Sequence, residues 1–120
     1  APAAASVPTL TAATFNTSLA AHEVALVTFT APWCGHCKKL KPEMEQAAPG
    51  LLDEGIGIFD VDATKERGLA KDHGVRGYPD MRIFRRDLGT YAKYNGPRDA
   101  AGISAFMRAR AGPACGSLPG

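Results

Sequence analysis

The chain has 120 residues, of which 45% are hydrophobic and 22% charged, and its 14 basic and 12 acidic side chains give a formal net charge of +2. These values are typical of one ordinary globular domain that buries a core of its own. The short basic cluster at Lys38, Lys39 and Lys41 is not the extended basic surface that nucleic acids or anionic membranes require. No run approaches the roughly 20 apolar residues of a membrane span. We therefore expect no nucleic-acid partner and no membrane span.

Both ends of the chain have the composition of linkers. Residues 1–5 lack the basic segment and the long apolar core of a signal peptide, and residues 112–120 are rich in glycine and proline. We expect the globular domain to occupy residues 6–111, followed by a tail that contains Cys115.

Apolar patterns typical of strands and of helices alternate along the domain. In chain order we predict a strand at 7–11, a helix from Thr11 or Thr14 to about residue 21, a strand at 25–30 and a helix from 34 to about 48. A strand at 56–62, a helix at 66–73, strands at 81–85 and 91–94, and a helix from 99 to about 110 complete the domain. This order, β-α-β-α-β-α-β-β-α, predicts an α/β fold with a central mixed sheet and helices on both of its faces.

Several residues mark the bends and ends of these elements. Pro42 lies inside the second helix, where it removes a backbone donor and should kink the helix. Gly74 follows the third helix and suits the left-handed position that commonly ends one. Residues 86–89 have the composition of a hairpin turn.

Two of the three cysteines, Cys34 and Cys37, are three residues apart at the predicted start of the second helix. The unpaired amides and the macrodipole of a helix N-terminus favour negative charge, so Cys34 should ionise to the thiolate that attacks disulfides. Cys37 lies one turn later on the same face, within disulfide range. We expect Cys34 to be the exposed attacking thiol and Cys37 the more buried resolving thiol.

The residues between the two sulfurs, Gly35 and His36, adjust the redox balance of the pair. A positive charge on His36 beside Cys34 favours the thiolate and hence the dithiol, which makes the disulfide form a better oxidant. The pattern therefore favours a domain that donates or rearranges disulfides over a strong reductant.

Two other interpretations of the cysteine pair are open from the residues. A structural zinc site needs four ligands, and the remaining candidates, Cys115, His22 and His73, are scattered along the chain. An inert structural disulfide is a weaker interpretation, because a two-residue loop at a helix start is a reactive setting. We predict no metal site.

The segment LVTFTAPWCGHCK at residues 26–38 resembles the active-site segment of the catalytic domains of protein disulfide isomerases. Further matches are Pro42, VDAT at 61–64, HGVRGYP at 73–79 and YNGPR at 94–98, so the resemblance covers roughly residues 7–111. It implies a thioredoxin fold and the formation and rearrangement of disulfide bonds in substrate proteins through a mixed disulfide at Cys34. It also implies the endoplasmic reticulum lumen, unfolded or misfolded protein substrates, and a redox partner such as glutathione or a thiol oxidase. No cofactor is implied beyond the disulfide of the pair.

The resemblance assigns roles to residues outside the pair. Pro79 should follow a cis peptide bond and pack against the redox-active disulfide, which leaves the backbone of Tyr78 free to pair with an extended substrate. Trp33 should line the substrate surface, and Arg98 should swing toward the site and favour the resolving thiolate. From the residues alone, Trp33 is as readily a core aromatic, Arg98 a solvated arginine, and the Tyr78–Pro79 bond an ordinary trans turn.

Two positions depart from the family pattern. Relatives usually carry a buried glutamate six residues before the first cysteine, as a proton acceptor for the resolving thiol, and a lysine paired with it on the neighbouring strand. This chain has Thr28 and Asp60 at these positions. We hypothesise that Asp60 serves as the acceptor, with a raised pKa, through a water held by Thr28. The alternative is that Asp60 points to solvent and the domain lacks an acceptor.

Two further functions fit the same residues. A thioredoxin-like disulfide reductase would use the same pair of cysteines, although His36 disfavours it. A client-binding chaperone module with weak exchange activity gains some support from the missing glutamate.

Overall fold

The computed structural model describes residues 7–85 and 90–111. In chain order, the strands are β1 (Val24–Thr30), β2 (Ile56–Asp62), β3 (Asp80–Arg85) and β4 (Thr90–Lys93), and the helices are α1 (Phe15–Ala20), α2 (Gly35–Leu52), α3 (Arg67–Asp72) and α4 (Ala100–Ala111). The strands form one sheet in the order β2-β1-β3-β4. β1 and β2 run parallel, whereas the β1–β3 and β3–β4 pairs are antiparallel. The predicted α/β fold with a mixed sheet is confirmed.

The central strand β1 sends alternate side chains into two helical layers. On one face Leu26 packs in a cluster with Met44 of α2 and Met107 of α4. On the other face Val27 packs in a cluster with Phe15 of α1 and with residues of α3. Because both faces are covered, β1 is a nearly continuous apolar run, as the sequence suggested.

The predicted first strand at residues 7–11 is wrong as a strand and survives as one parallel bridge between Thr9 and Asp60. The Asp60 N–H donates to the Pro8 carbonyl at 3.1 Å, and the Leu10 N–H donates to the Asp60 carbonyl at 2.8 Å. Pro8 has no N–H to extend the ladder. Thr11 is already part of a turn, since its N–H donates to the Thr14 hydroxyl at 2.9 Å. That contact also occupies Thr14, whose side chain makes no cap bond to α1.

The second helix is longer than predicted and continues through both Pro42 and Pro49 to Leu52. Leu51, in the added turn, is fully buried in the core, so packing offsets the unfavourable proline. Gly74 follows α3 with φ of +67°, as predicted. The predicted turn at 86–89 and the predicted linkers at 1–5 and 112–120 lie outside the described residues.

Candidate active site

Cys34 and Cys37 lie together at the N-terminus of α2, which follows β1 after a short turn. Cys34 is the residue before the helix, with an extended backbone, and its sulfur accepts a hydrogen bond from the Cys37 N–H at 3.2 Å. The Cys34 N–H donates to the Ala31 carbonyl at 3.0 Å, which fixes the turn. Both cysteines are free thiols, so the structure shows the reduced pair. The predicted placement of the pair at a helix start is confirmed.

The expected difference in exposure between the two thiols is wrong. Cys34 and Cys37 are each 6% exposed. Cys34 is covered because it packs in a small cluster with Ala31, against which the Tyr78 side chain also packs. Tyr78, a residue from a distant loop, therefore packs beside the pair.

The environment of Cys37 holds its thiol protonated. Burial, followed by the hydrogen-bonded sulfur of Cys34, raises the pKa of Cys37 to about 11. A backbone hydrogen bond to Ala31 and the positive charge of Arg98 act in the opposite direction. Cys37 thus needs a base before it can attack as a thiolate.

The predicted substrate-facing residues lie together beside Cys34. Trp33 is 69% exposed, and its ring contacts Tyr78 edge-on with centroids 5.5 Å apart. The Tyr78–Pro79 peptide bond is cis. Tyr78 and Pro79 also line a groove of about 360 Å³ that extends toward Arg76 and Lys93. Trp33 is therefore no core aromatic.

The two predicted charged partners of the pair lie at the surface. His36 is exposed in the first turn of α2, and Arg98 is exposed just before α4. The charge of Arg98 acts on Cys37, although its side chain remains in solvent. Arg98 therefore acts on the pair through its charge, which lowers the pKa of Cys37.

Thr28 and Asp60 are direct partners in the parallel register of β1 and β2, on the sheet face that α2 covers. Thr28 is fully buried, and its hydroxyl donates to the Met44 sulfur at 3.2 Å. This bond uses the only proton of the hydroxyl, so a water could be held by Thr28 only as an acceptor, through the oxygen lone pairs. Asp60 is 6% exposed, which excludes the alternative that it points to solvent.

The carboxyl group of Asp60 is in an environment that favours its neutral form. Burial is the main cause of a raised Asp60 pKa, and the carboxylates of Glu45 and Asp62 raise it further. A hydrogen bond from Thr9 and the charge of Lys41 act in the opposite direction. Within the described residues, the Oδ1 atom of Asp60 is buried without a hydrogen-bond partner.

A cavity of about 560 Å³ beneath the first turns of α2 contains both groups. Cys37, Lys41 and Met44 line it from α2, Asp60 lines it from β2, and Thr9 belongs to its outer wall. Sequence reasoning missed the wall residues from α2. Lys41 follows Cys37 by four residues and Met44 follows Lys41 by three, which places them on one helical face and was the available signal.

No cluster of three His, Cys, Asp or Glu side chains suited to a metal ion occurs in residues 7–85 and 90–111. His73, one of the scattered zinc candidates, instead packs its ring against Phe15 and Phe29. Cys115 lies outside the described residues. None of the helices searched, all within the described ranges, is long and apolar enough to cross a membrane.

Comparison with known proteins supplies an independent test of this site. The Thioredoxin family model matches residues 6–109. The chain is 48% identical over 115 residues to a probable protein disulfide-isomerase A4 of Caenorhabditis elegans, covering 94% of this chain and 18% of the relative. It is 47% identical over 112 residues to the protein disulfide-isomerase of Gallus gallus, covering 91% of this chain and 22% of the relative.

Among solved structures, the first thioredoxin domain of mouse protein disulfide-isomerase A4 is similar with a TM-score of 0.76 and 36% identity. That match covers 88% of this chain and 75% of the mouse domain structure. By contrast, the chain spans only about a fifth of the length of the curated relatives it matches.

Proposed function

Because this chain belongs to the thioredoxin family, we propose that it is a thiol–disulfide oxidoreductase and isomerase that forms and rearranges disulfide bonds in substrate proteins. The observation that carries the proposal is the position of Cys34 at the N-terminus of α2, with the N–H of Cys37 donating to its sulfur at 3.2 Å. Amides and helix dipole at this position stabilise negative charge on the attacking sulfur. The similarity to protein disulfide isomerases over most of the chain supports the same chemistry.

Oxidation of a substrate proceeds by two exchange steps. A substrate thiolate attacks the Cys34 sulfur of the Cys34–Cys37 disulfide, the bond between the two cysteines breaks, and Cys37 leaves with the electron pair and takes up a proton. A second substrate thiolate then attacks the substrate sulfur of the mixed disulfide, and Cys34 leaves as a thiolate. The substrate loses two electrons and gains a disulfide, and the pair gains them and becomes the dithiol.

Isomerisation depends on how long the mixed disulfide at Cys34 persists. Burial, the main cause of the raised Cys37 pKa in the dithiol, persists in the mixed disulfide, so Cys37 stays largely protonated at neutral pH and rarely attacks Cys34. A substrate thiol elsewhere in the same protein therefore has time to displace Cys34 and form a different disulfide. We propose that Arg98 and His36 adjust this balance, Arg98 by favouring the Cys37 thiolate and the charge of His36, which follows Gly35 in the first turn of α2, by favouring the thiolate of Cys34.

Unfolded proteins are the proposed substrates, because the surface beside Cys34 offers an apolar aromatic and an extended backbone. The exposed ring of Trp33 can cover apolar side chains of a substrate. The backbone of Tyr78, ahead of Pro79, is proposed to pair with an extended substrate segment. The electrons are held by the two sulfurs, so no metal or organic cofactor is required.

A redox partner must return the pair to the disulfide, and glutathione disulfide or a thiol oxidase has suitable chemistry. The proposed compartment is the lumen of the endoplasmic reticulum, whose redox poise keeps exchange catalysts partly oxidised. The resemblance to protein disulfide isomerases supports this assignment.

Refolding of a protein with scrambled disulfides tests the function. We expect the domain to accelerate recovery of the native disulfides, Cys34→Ala to abolish the acceleration, and Cys37→Ala to accumulate a mixed disulfide with substrate. Cys115→Ala, which removes the thiol outside the pair, should leave the rate unchanged. Equal rates with and without the Cys34 sulfur would contradict the proposal and favour a client-binding module. A redox equilibrium far below the glutathione couple would instead indicate a reductase.

A further inference from the structure

A carboxylate is buried beneath the active-site helix with one of its two oxygens unpartnered among the described residues. Asp60 is 6% exposed, and no described residue donates a hydrogen bond to its Oδ1 atom. Buried carboxylates are ordinarily paired or fully hydrogen-bonded, because an unsatisfied one destabilises the fold. A group that is kept despite this cost points to chemistry rather than to stability.

The backbone of Asp60 is fixed on both sides, so its side chain has a defined direction. The N–H and carbonyl of Asp60 bond to the carbonyl of Pro8 and the N–H of Leu10. Its register partner is Thr28, and both lie on the sheet face that packs against α2. The side chain of Asp60 is thereby held in the layer that also contains Cys37.

The cavity of about 560 Å³ joins the two groups, since Asp60 and Cys37 both line it. Charged side chains of Lys38 and Lys41 give this cavity a polar wall. A cavity of this size with charged side chains on its wall has room for several water molecules, and such waters can relay a proton between the groups that line it.

Resting on the proposed function, we infer that Asp60 exchanges a proton with Cys37 across this cavity. During substrate release, the Asp60 carboxylate accepts the Cys37 proton through water, and the resulting thiolate attacks Cys34 in the mixed disulfide. The bond between Cys34 and the substrate sulfur breaks, the Cys34–Cys37 disulfide forms, and the substrate leaves as a thiolate that is protonated by solvent. When a substrate thiolate opens the Cys34–Cys37 disulfide, Asp60 returns a proton to the departing Cys37.

The charged groups around Asp60 set the pH at which it can act. Lys41 from α2 favours the ionised carboxylate, whereas Glu45 from α2 and Asp62 from β2 favour the protonated form. Lys38 from α2 and Lys65 and Glu66 from the segment before α3 also line the cavity. Together with burial, they leave the pKa of Asp60 raised, and a raised pKa brings a carboxyl closer to the matched basicity that proton transfer at neutral pH requires.

Single-turnover kinetics with the reduced domain and a peptide disulfide separate the two chemical steps. Formation of the mixed disulfide reports Cys34, and release of the second peptide thiol reports Cys37. We expect Asp60→Asn to slow release about 10²-fold, within the range of general acid–base catalysis, and to leave the first step unchanged. In the pH profile of the release rate, the inflection caused by ionisation of Asp60 should be absent from this variant.

The matched control is Asp72→Asn, which removes an exposed carboxylate at the end of α3, away from the residues that line the cavity. Release should change less than about twofold in this variant. In the Asp60→Asn background, Thr28→Asp places a carboxylate on the paired position of β1 and should restore part of the rate. Asp60→Glu keeps a carboxyl group and should retain the inflection. This variant therefore distinguishes a role of the carboxyl group in proton transfer from an effect of substitution on the fold.

Two different failures would be distinguishable. If the wild-type domain formed no mixed disulfide with the peptide, the proposed function itself would be wrong. If the mixed disulfide formed normally and Asp60→Asn released the peptide at the wild-type rate with the inflection intact, only the role of Asp60 would be overturned.

Discussion

Replacing Thr28 with valine should stabilise the domain, which is unusual for a change at a fully buried position. The Thr28 hydroxyl is closed off from solvent, and its bond is to the Met44 sulfur, a weak acceptor. Burying a poorly bonded hydroxyl costs about 1–3 kcal/mol, and a methyl group in its place gains roughly 0.8 kcal/mol of burial. After the lost O–H···S bond is subtracted, we expect the free energy of unfolding to rise by about 1 kcal/mol. For a domain of this size that raises Tm by about 4 °C.

Thr30→Val is the matched control for Thr28→Val, because Thr30 lies two residues along the same strand on the same face. Its hydroxyl donates to the Val61 carbonyl at 3.2 Å, so valine there should lower the free energy of unfolding by about 1 kcal/mol. Urea denaturation of the reduced domain measures both. Opposite signs are expected, and the rate of substrate release should be unchanged in Thr28→Val. Equal losses of stability, or slower release, would show that the Thr28 hydroxyl has a role beyond Met44.

Three further outcomes follow from the structure. Burial raises the pKa of Asp60 in the folded state, so the folded state binds this proton more tightly and stability should increase as pH falls through the folded pKa. The difference in unfolding free energy between wild type and Asp60→Asn, measured from pH 8 to 5, should show this increase. A difference that does not depend on pH would contradict it. Gly74→Ala should lower the free energy of unfolding by about 1 kcal/mol because φ is +67°. Gly68→Ala, inside α3 with open space at its Cβ, should raise it by up to about 1 kcal/mol, and urea denaturation measures both. Trp33→Ala should leave Tm unchanged because the ring is mostly exposed, but should raise KM for unfolded substrates in the refolding assay.

The features that the sequence predicted well depend on local patterns. The apolar run of β1, the helix that begins after Cys34 and the left-handed Gly74 each follow from a few neighbouring residues. The pairing of Thr28 with Asp60 was predicted only through the family resemblance, because parallel register is set by packing across the whole sheet.

The features that the sequence did not predict depend on contacts between distant residues. Cys34 is buried in a cluster with Ala31 and Cys37, against which Tyr78 packs from the loop before β3. The first strand shrinks to one bridge because Pro8 lacks a donor and Thr11 enters a turn. The cavity beneath Cys37 needs the joint position of three segments, which no single stretch of sequence shows.

The bridge at Thr9 gives the N-terminal segment a part in the chemistry. The Thr9 side chain donates a hydrogen bond to Asp60, which lowers the Asp60 pKa against the larger effect of burial. Thr9→Val removes that bond, so the pKa of Asp60 should rise further and less of the carboxylate should be ionised at pH 7. Release of the mixed disulfide should then slow at neutral pH and recover at higher pH, with its inflection displaced upward, whereas attack by Cys34 should be unaffected. If Thr9→Val shifted nothing in the release profile, the carboxyl group that controls release would not be the one that Thr9 contacts.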